Sequence, residues 1–394
     1  MLHREPRGRR GRHHRIHAIP TVNRHEPERI FQLGRGSLRS PPQWRRAKGH
    51  KRRALSPTVR PPNRYRRQEV LPEIGVEGQR KLASARAVVV GLGALGSISS
   101  DLLARAGVGH LRLVDRDVVE LTNLQRQLLY AERDVDRPKA EAAAERLRSV
   151  NSEIQIEPVS RDVHSATVRE ILNGVDVVVD GTDNLETRFL INEAAIESNV
   201  PFVYGGAIAT YGMAFAIRPP VTACFRCFNP KSPPPGSLPT CETAGIFNAA
   251  SAMVGAIQAG EALRLLLGEP PSGALYVVDG WRPDVQKIRI ARRADCPTCV
   301  LGEREYLGAK RAQVLASLCG SDTISLDPVH HGTIDMEAVA NRLAVLGSTR
   351  RAGGVLVAEV EGHRLTIFPD GRALIRGVKD EAEARGVYAK YVGI

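Results

Sequence analysis

No apolar run in this chain of 394 residues approaches the roughly 20 needed to cross a bilayer, and its first residues lack the apolar centre of a signal peptide. A membrane span and a secretory route are excluded on this reading, and a cytoplasmic protein is the expectation. Cysteine is scarce, with 6 residues in all, so no disulfide framework can organise a chain this long; metal ligands or reactive thiols are the better use of so few. There is no internal repeat. Acidic residues are lacking only at the amino end: residues 1–60 hold 17 Lys/Arg against 3 Asp/Glu, a surplus of 14, while the whole chain carries +13, so everything after residue 60 nets −1. The basic character therefore belongs to that segment alone.

What is present is an ordinary globular composition, 42% hydrophobic and 25% charged, which excludes disorder throughout. Residues 1–60 are the exception. Rich in Arg, His and Pro and without apolar period, they are expected to form a basic disordered extension. Clustered Arg would suit a polyanion such as nucleic acid, although a dispensable extension explains the composition as well.

From residue 86 the pattern becomes apolar strand, Gly-rich turn and amphipathic helix, repeated, which is α/β architecture with a doubly wound, mostly parallel, Rossmann-like sheet. Strands are expected at 86–90, 110–115, 154–159, 175–180 and 201–204, with helices near 95–106, 138–150, 165–173 and 185–198. After residue 206, strands at 211–218, 274–279 and 285–290 lack crossovers, and a long helix is expected over 244–267. Beyond Gly302 the composition changes again, to helix 335–346, strands 355–360, 363–368 and 372–376, and helix 380–391. The domains expected are 1–60, 61–302 and 303–394, the last a small α+β unit.

Gly91-Leu92-Gly93-Ala94-Leu95-Gly96 follows the first strand and opens a helix, the setting in which glycines let a phosphate approach a helix amino terminus. Asp115 ends the second strand, where an acid accepts from ribose hydroxyls. These residues point to a nucleotide without choosing between NAD and ATP. No His or Tyr suited to hydride transfer stands near the strand ends, whereas Asn123, Gln125, Arg126, Lys139, Asp183 and Asn184 do, and cations, acid and amides together suit a triphosphate with magnesium. Two C-x-x-C pairs, Cys224/Cys227 and Cys296/Cys299, predict a closed structural zinc site. Cys241, just before a helix, is expected to be an exposed thiol of lowered pKa. Cys319 has no paired motif and is expected to be buried and inert.

Arg64-Tyr65-Arg66-Arg67-Gln68, the Gly91 turn, Asn123-Leu124-Gln125-Arg126-Gln127, Pro138-Lys139, Thr182-Asp183-Asn184, the two cysteine pairs and Thr240-Cys241-Glu242-Thr243-Ala244-Gly245 occur in an order that resembles the ubiquitin-activating-enzyme-like adenylyltransferases of sulfur-carrier proteins, the MoeB/ThiF/HesA group. The resemblance covers Arg64 to about Cys299. It implies ATP bound around Gly93, Asp115, Asn123, Arg126, Lys139 and Asp183, with magnesium near Asp183, and a homodimer in which Arg67 reaches the neighbouring subunit's phosphates. Ala94 departs from the pattern, since many members have Gly there, but it is small enough to keep the backbone accessible. The activity implied is adenylation of the C-terminal glycine of a ubiquitin-like sulfur carrier, with thiol chemistry at Cys241 in some members. The region after residue 303 shows no sulfurtransferase loop, so sulfur must come from a separate donor such as a cysteine desulfurase. Two rivals remain: adenylation of a tRNA-borne carboxylate, and a non-enzymatic zinc-containing nucleic-acid binder, which leaves Arg126, Lys139 and Asp183 without a role.

Overall fold

The computed structural model describes residues 63–232, 240–309, 315–317, 323–327 and 333–392. The amino-terminal extension, most of the Pro-rich stretch before Cys241, and Cys319 lie outside the described residues. The chain divides into Met1–Arg60 and Pro61–Ile394, and all the described residues lie in the second.

It opens with a one-turn helix α1 (Arg66–Glu69) and α2 (Gly75–Ser84). Then come β1 (Arg86–Val90), α3 (Ala94–Ala106), β2 (His110–Val114), α4 (Lys139–Val150), β3 (Gln155–Val159), α5 (Val168–Ile171), β4 (Val177–Asp180), α6 (Leu185–Glu197) and β5 (Phe202–Ile208). The remainder of the first sheet is supplied by β6 (Tyr211–Ile217), the short helices α7 (Phe225–Phe228) and α8 (Cys241–Ala244), α9 (Asn248–Leu267), β7 (Ala274–Asp279) and β8 (Asp284–Arg289). Eight strands lie in the order β3-β2-β1-β4-β5-β6-β7-β8; β3 to β5 run parallel, whereas β6, β7 and β8 each pair antiparallel. The order turns back between β1 and β4, which opens a crevice at their carboxyl ends.

Near-continuous Val strands are buried on both faces because helices cover both. Ala87 and Val89 of β1 pack with Leu103 of α3 and Leu147 of α4, while Val88 and Val90 pack with Phe189 and Ile191 of α6. Helix ends follow local chemistry: α3 stops at Gly107, left-handed at φ +83°, and Asn184 caps α6 by accepting from the amides of Glu186 and Thr187.

Several expectations change. The helix expected over 165–173 shortens to the four residues of α5. The long helix begins at Asn248 rather than 244, because Gly245, at φ +74°, separates it from α8. Among the described residues α9 is also the one helix long and apolar enough, by length and composition alone, to cross a membrane, which corrects the reading that no such run exists. Here it is a core helix against α3, β5 and β6; its Glu261 is buried, and its Gln258 donates to the carbonyls of Asp180 and Val203 at 2.7 and 3.2 Å.

A second sheet follows, made of β9 (Leu315–Ser317), β10 (Thr323–Leu326), β11 (Gly347–Ala352), β12 (Val355–Val360), β13 (His363–Ile367) and β14 (Ala373–Arg376) in the order β11-β12-β13-β14-β10-β9. Helices α10 (Met336–Ala344) and α11 (Glu381–Tyr391) cover one face through Leu343, Val387 and Tyr391. Strands β9 to β11 escape sequence reading; β11, Gly-Ser-Thr-Arg-Arg-Ala, is exposed along most of its length and has no apolar alternation to betray it.

Candidate functional site

The Gly-rich turn joins β1 to α3. Gly91 sits at φ +84°, and a Cβ there would lie 2.6 Å from the backbone of Gly181 after β4, so only glycine lets the two strand ends approach. At Gly96 a Cβ would run into the Gly91 carbonyl oxygen. Gly93 differs: an added Cβ would meet nothing nearer than 3.9 Å, leaving open space over the amino end of α3 where an anion can lie. Ala94 is the first residue of α3 and is buried.

Asp115 follows β2 directly and is buried. One carboxylate oxygen accepts from the Leu92 amide at 2.7 Å, tying the acid to the Gly-rich turn, and the other accepts from the Asp117 amide at 2.8 Å. Burial pushes its pKa up, against the opposing pull of Lys139. Lys139 opens α4 and is buried, with its ammonium 3.3 Å from Asp117. Burial alone would lower that ammonium's pKa, but Asp117 and Asp115 outweigh it and hold it above its ordinary value. Asp117 moves the other way: burial opposes its charge, and Lys139 with Arg116 overcomes that.

Asp117, Arg116 and Tyr130 are site residues that the sequence reading missed, and Gln127 stood in the 123–127 motif without a role of its own. Arg116 bonds Asp162 at 3.2 Å and faces Asp117, Asp183 and Asp115. Tyr130 is buried, donates to the Leu92 carbonyl at 3.0 Å, and has its pKa raised by burial and by Asp115. Two buried oxygens, Oδ1 of Asp117 and Oε1 of Gln127, have no hydrogen-bond partner. Buried polar atoms ordinarily find partners, so this crevice is shaped for something that supplies them. The Asp-x-Asp spacing of Asp115 and Asp117 was a usable signal, and so was the 123–127 motif for Gln127; Tyr130 carried none.

The remaining residues take different stations. Asn123 is buried and accepts from the Glu120 amide at 3.1 Å, while Gln125 is exposed and its carbonyl accepts from Asn248 at 3.2 Å. Arg126 donates to the Thr122 carbonyl at 3.0 Å and Asp183 is exposed at the end of β4. The side chain of Asn184 is spent on the helix cap. Beneath Asp183, buried Asp180 bonds Arg188 at 3.0 Å, which fixes the β4 end.

Arg67 is exposed on α1, far from these groups in its own chain. Gln68 beside it donates to the Ala106 carbonyl at 2.9 Å, and Tyr65 accepts from Asn151 at 2.8 Å, so α1 sits at the carboxyl end of α3. The Gly-rich turn lies at the other end of that 13-residue helix, about 20 Å away at 1.5 Å per residue.

Cys241 is brought to the crevice from the far side of the sequence, close enough for Asp183 and Arg126 both to act on it. The thiol is half-buried, however, and burial pushes its pKa up, followed by Asp183. That corrects the expectation of a lowered thiol: α8 has only four residues, and partial burial outweighs so short a helix.

The four paired cysteines converge. Sulfur separations are 3.8 Å for Cys224–Cys227 and 3.6 Å for both Cys224–Cys296 and Cys227–Cys299, and all four lie within 4.8 Å of one another. Four sulfurs about 2.3 Å from one centre stand ~3.8 Å apart, so the set fits tetrahedral zinc and has no open position. Cys299 is pulled down to about 4, first by the Cys224 thiol, as expected when one member of a tight group becomes thiolate.

The ThiF family model matches residues 65–298. A Bacillus subtilis sulfur carrier protein ThiS adenylyltransferase is 39% identical over 335 residues, 84% of this chain and 99% of that protein. A Thermus thermophilus sulfur carrier protein adenylyltransferase is 40% identical over 244 residues, 60% of this chain and 90% of its own. Among solved structures, Escherichia coli MccB aligns with a TM-score of 0.54 at 22% identity, over 64% of this chain and 76% of that one, a likeness of fold. The fold, the crevice and these relatives agree: the chain belongs to the ThiF family.

Proposed function

We propose that this protein adenylates the C-terminal glycine carboxylate of a ubiquitin-like sulfur-carrier protein of the ThiS or MoaD type, using ATP, for thiamine, molybdopterin or related sulfur transfer. The observation that carries the reading is the buried Lys139, held charged beside Asp117 and Asp115 at the strand ends behind an open Gly-rich turn. A carboxylate is ionised at neutral pH. It attacks the α-phosphorus without a general base, the bond to the β-phosphate breaks, and pyrophosphate leaves with the electron pair. What the protein must supply is alignment and positive charge.

In this reading Gly91, Gly93 and Gly96 shape the phosphate turn, and Asp115 accepts from the ribose. Asn123, Gln127 and Asp117 offer buried polar atoms, and Lys139 with Arg126 draws charge off the phosphates. Magnesium near Asp183 would screen the triphosphate. The four cysteines would hold structural zinc. Because α1 is anchored away from its own crevice, Arg67 acts in a neighbouring subunit, and the working unit is a homodimer. Cys241, near enough to Asp183 to feel its charge, would serve thiol chemistry after adenylation, with sulfur arriving from a separate donor such as a cysteine desulfurase. The setting is cytoplasmic.

Pyrophosphate exchange into ATP tests the reading. Exchange should require a carrier ending in Gly-Gly, and the acyl-adenylate should be trappable. Exchange driven by tRNA in place of the carrier would favour the rival substrate, and none with either would leave only the binding role.

A further inference from the structure

The stretch from Asp117 to Lys139 leaves the nucleotide sheet and returns, and its two stems are tied together. The Lys139 amide donates to the Asp117 carbonyl at 2.9 Å, Val119 to Arg137 at 2.9 Å and Asp136 to Val119 at 2.8 Å, with Val118 bridged to Pro138. Extended backbone sends successive side chains to opposite sides. On one side the Asp117 and Lys139 side chains meet beside Asp115. On the other, Val118, Glu120 and Asp136 all end in the second sheet.

Val118 is buried among Val355, Val357, Phe368 and Leu374. Arg376 of β14 pairs with Glu120, and Arg350 of β11 and Arg364 of β13 close together on Asp136. Asp136 is buried and stands at φ +71°, a left-handed conformation that a non-glycine residue adopts only when its surroundings hold it. It lies three residues before Lys139. Arg372, in the turn after β13, donates to the Ser160 carbonyl just beyond β3, so a neighbouring strand end is gripped as well.

We propose that Arg350, Arg364 and Arg376 are positioning residues, which hold through Asp136 and Glu120 the stems that present Asp117 and Lys139 to the nucleotide. The second sheet is then the back wall of the phosphate site. The inference rests on the adenylation reading in one respect, that Lys139 meets the phosphates. An exposed ion pair would matter little. Here a buried carboxylate is shared by two guanidinium groups, and removing them leaves an uncompensated charge under the loop. Lys139 and Asp117 displaced from their stations would hold the phosphates less well in ground state and transition state alike, a loss of uniform binding that raises KM.

The test is full-length Arg350→Ala/Arg364→Ala, which touches no residue of the crevice. The KM for ATP in carrier-dependent exchange should rise on the order of tenfold while kcat falls much less. Amide hydrogen exchange over 117–139 should quicken, with β1 and α3 keeping their protection. Arg364→Lys, with Arg350 intact, should recover most of the affinity. Unchanged KM with unchanged protection over 117–139 would overturn the proposal. So would protection lost uniformly across the first sheet, which would make the arginines general stabilisers. Wild-type protein without carrier-dependent exchange would instead bring down the adenylation reading and this proposal with it, a failure visible before any variant is made.

Discussion

The nucleotide crevice and the four-cysteine cluster lie in one compact unit but are built on opposite principles. In the crevice, buried polar atoms are incompletely hydrogen-bonded: Oδ1 of Asp117, 3.8 Å from the Arg116 guanidinium, and Oε1 of Gln127 accept no hydrogen bond, and Asp183 is open to solvent. The cluster is closed, with Cys224, Cys227 and Cys296 buried and three of its sulfur pairs 3.6 to 3.8 Å apart, near tetrahedral spacing. Unsatisfied polar atoms are costly and persist where a ligand will satisfy them, whereas a closed metal site returns its binding energy to the fold.

The largest expected effect separates the two outright. Lys139→Ala and Arg126→Ala should each lower carrier-dependent pyrophosphate exchange by about a hundredfold or more, by analogy with other positioned charges, while zinc content and circular dichroism stay as in wild type. Near-normal exchange in either variant would remove that residue from the mechanism. Cys224→Ser should do the reverse: metal analysis, which should give about one zinc per wild-type chain, should find it lost, and Tm should fall by about 10 °C. Freshly purified wild type without zinc would sink the architectural half of the contrast.

Asp115→Ala should raise the KM for ATP about tenfold with a smaller change in kcat, since it would remove a charge-assisted hydrogen bond to the ribose. Tight NAD binding by wild type would overturn the choice of nucleotide. A twofold effect tests whether the crevice, unlike the cluster, needs a second copy of the chain. Arg67→Ala and Lys139→Ala subunits, co-expressed with different tags and isolated as a heterodimer, contain one site with both defects and one with neither, so about half the exchange should return. No recovery would place Arg67 outside its partner's site.

The smallest effect is in pH. Asp117 is held below the ordinary carboxylate value and Lys139 above the ordinary lysine value. Their pairing therefore stabilises the fold between those ordinary values, roughly pH 4 to 10. It fades as pH falls through the lowered Asp117 or rises through the raised Lys139. Asp117→Asn should cost about 1 kcal/mol near pH 7, read by denaturant unfolding, and the difference from wild type should shrink at both extremes. A pH-independent difference would mean that the pair is steric rather than electrostatic.

How much was legible follows from range. The strand β1, the Gly91 turn, Asp115 and both C-x-x-C pairs announce themselves within a few residues, because apolar period, backbone freedom and ligand spacing are local properties. Cys241 shows where local logic fails: its place before a helix argued for a lowered pKa, and packing from segments far along the chain raised it instead. Tyr130 looked like an ordinary loop residue until the chain closed over it.

By itself, then, the sequence determined the α/β order, the Gly-rich turn, the pairing of the four cysteines and, through the order of its motifs, the family. Only the tertiary structure decided that Asp117 neutralises Lys139, that α1 lies some 20 Å from its own crevice, and that β11, β13 and β14 grip the loop from behind. The physical reason is that strand polarity, helix caps and metal-ligand spacing depend on neighbours in sequence. Charge pairing and burial depend on neighbours in space, and for Asp136 and Arg364, 228 positions apart, no local pattern records them.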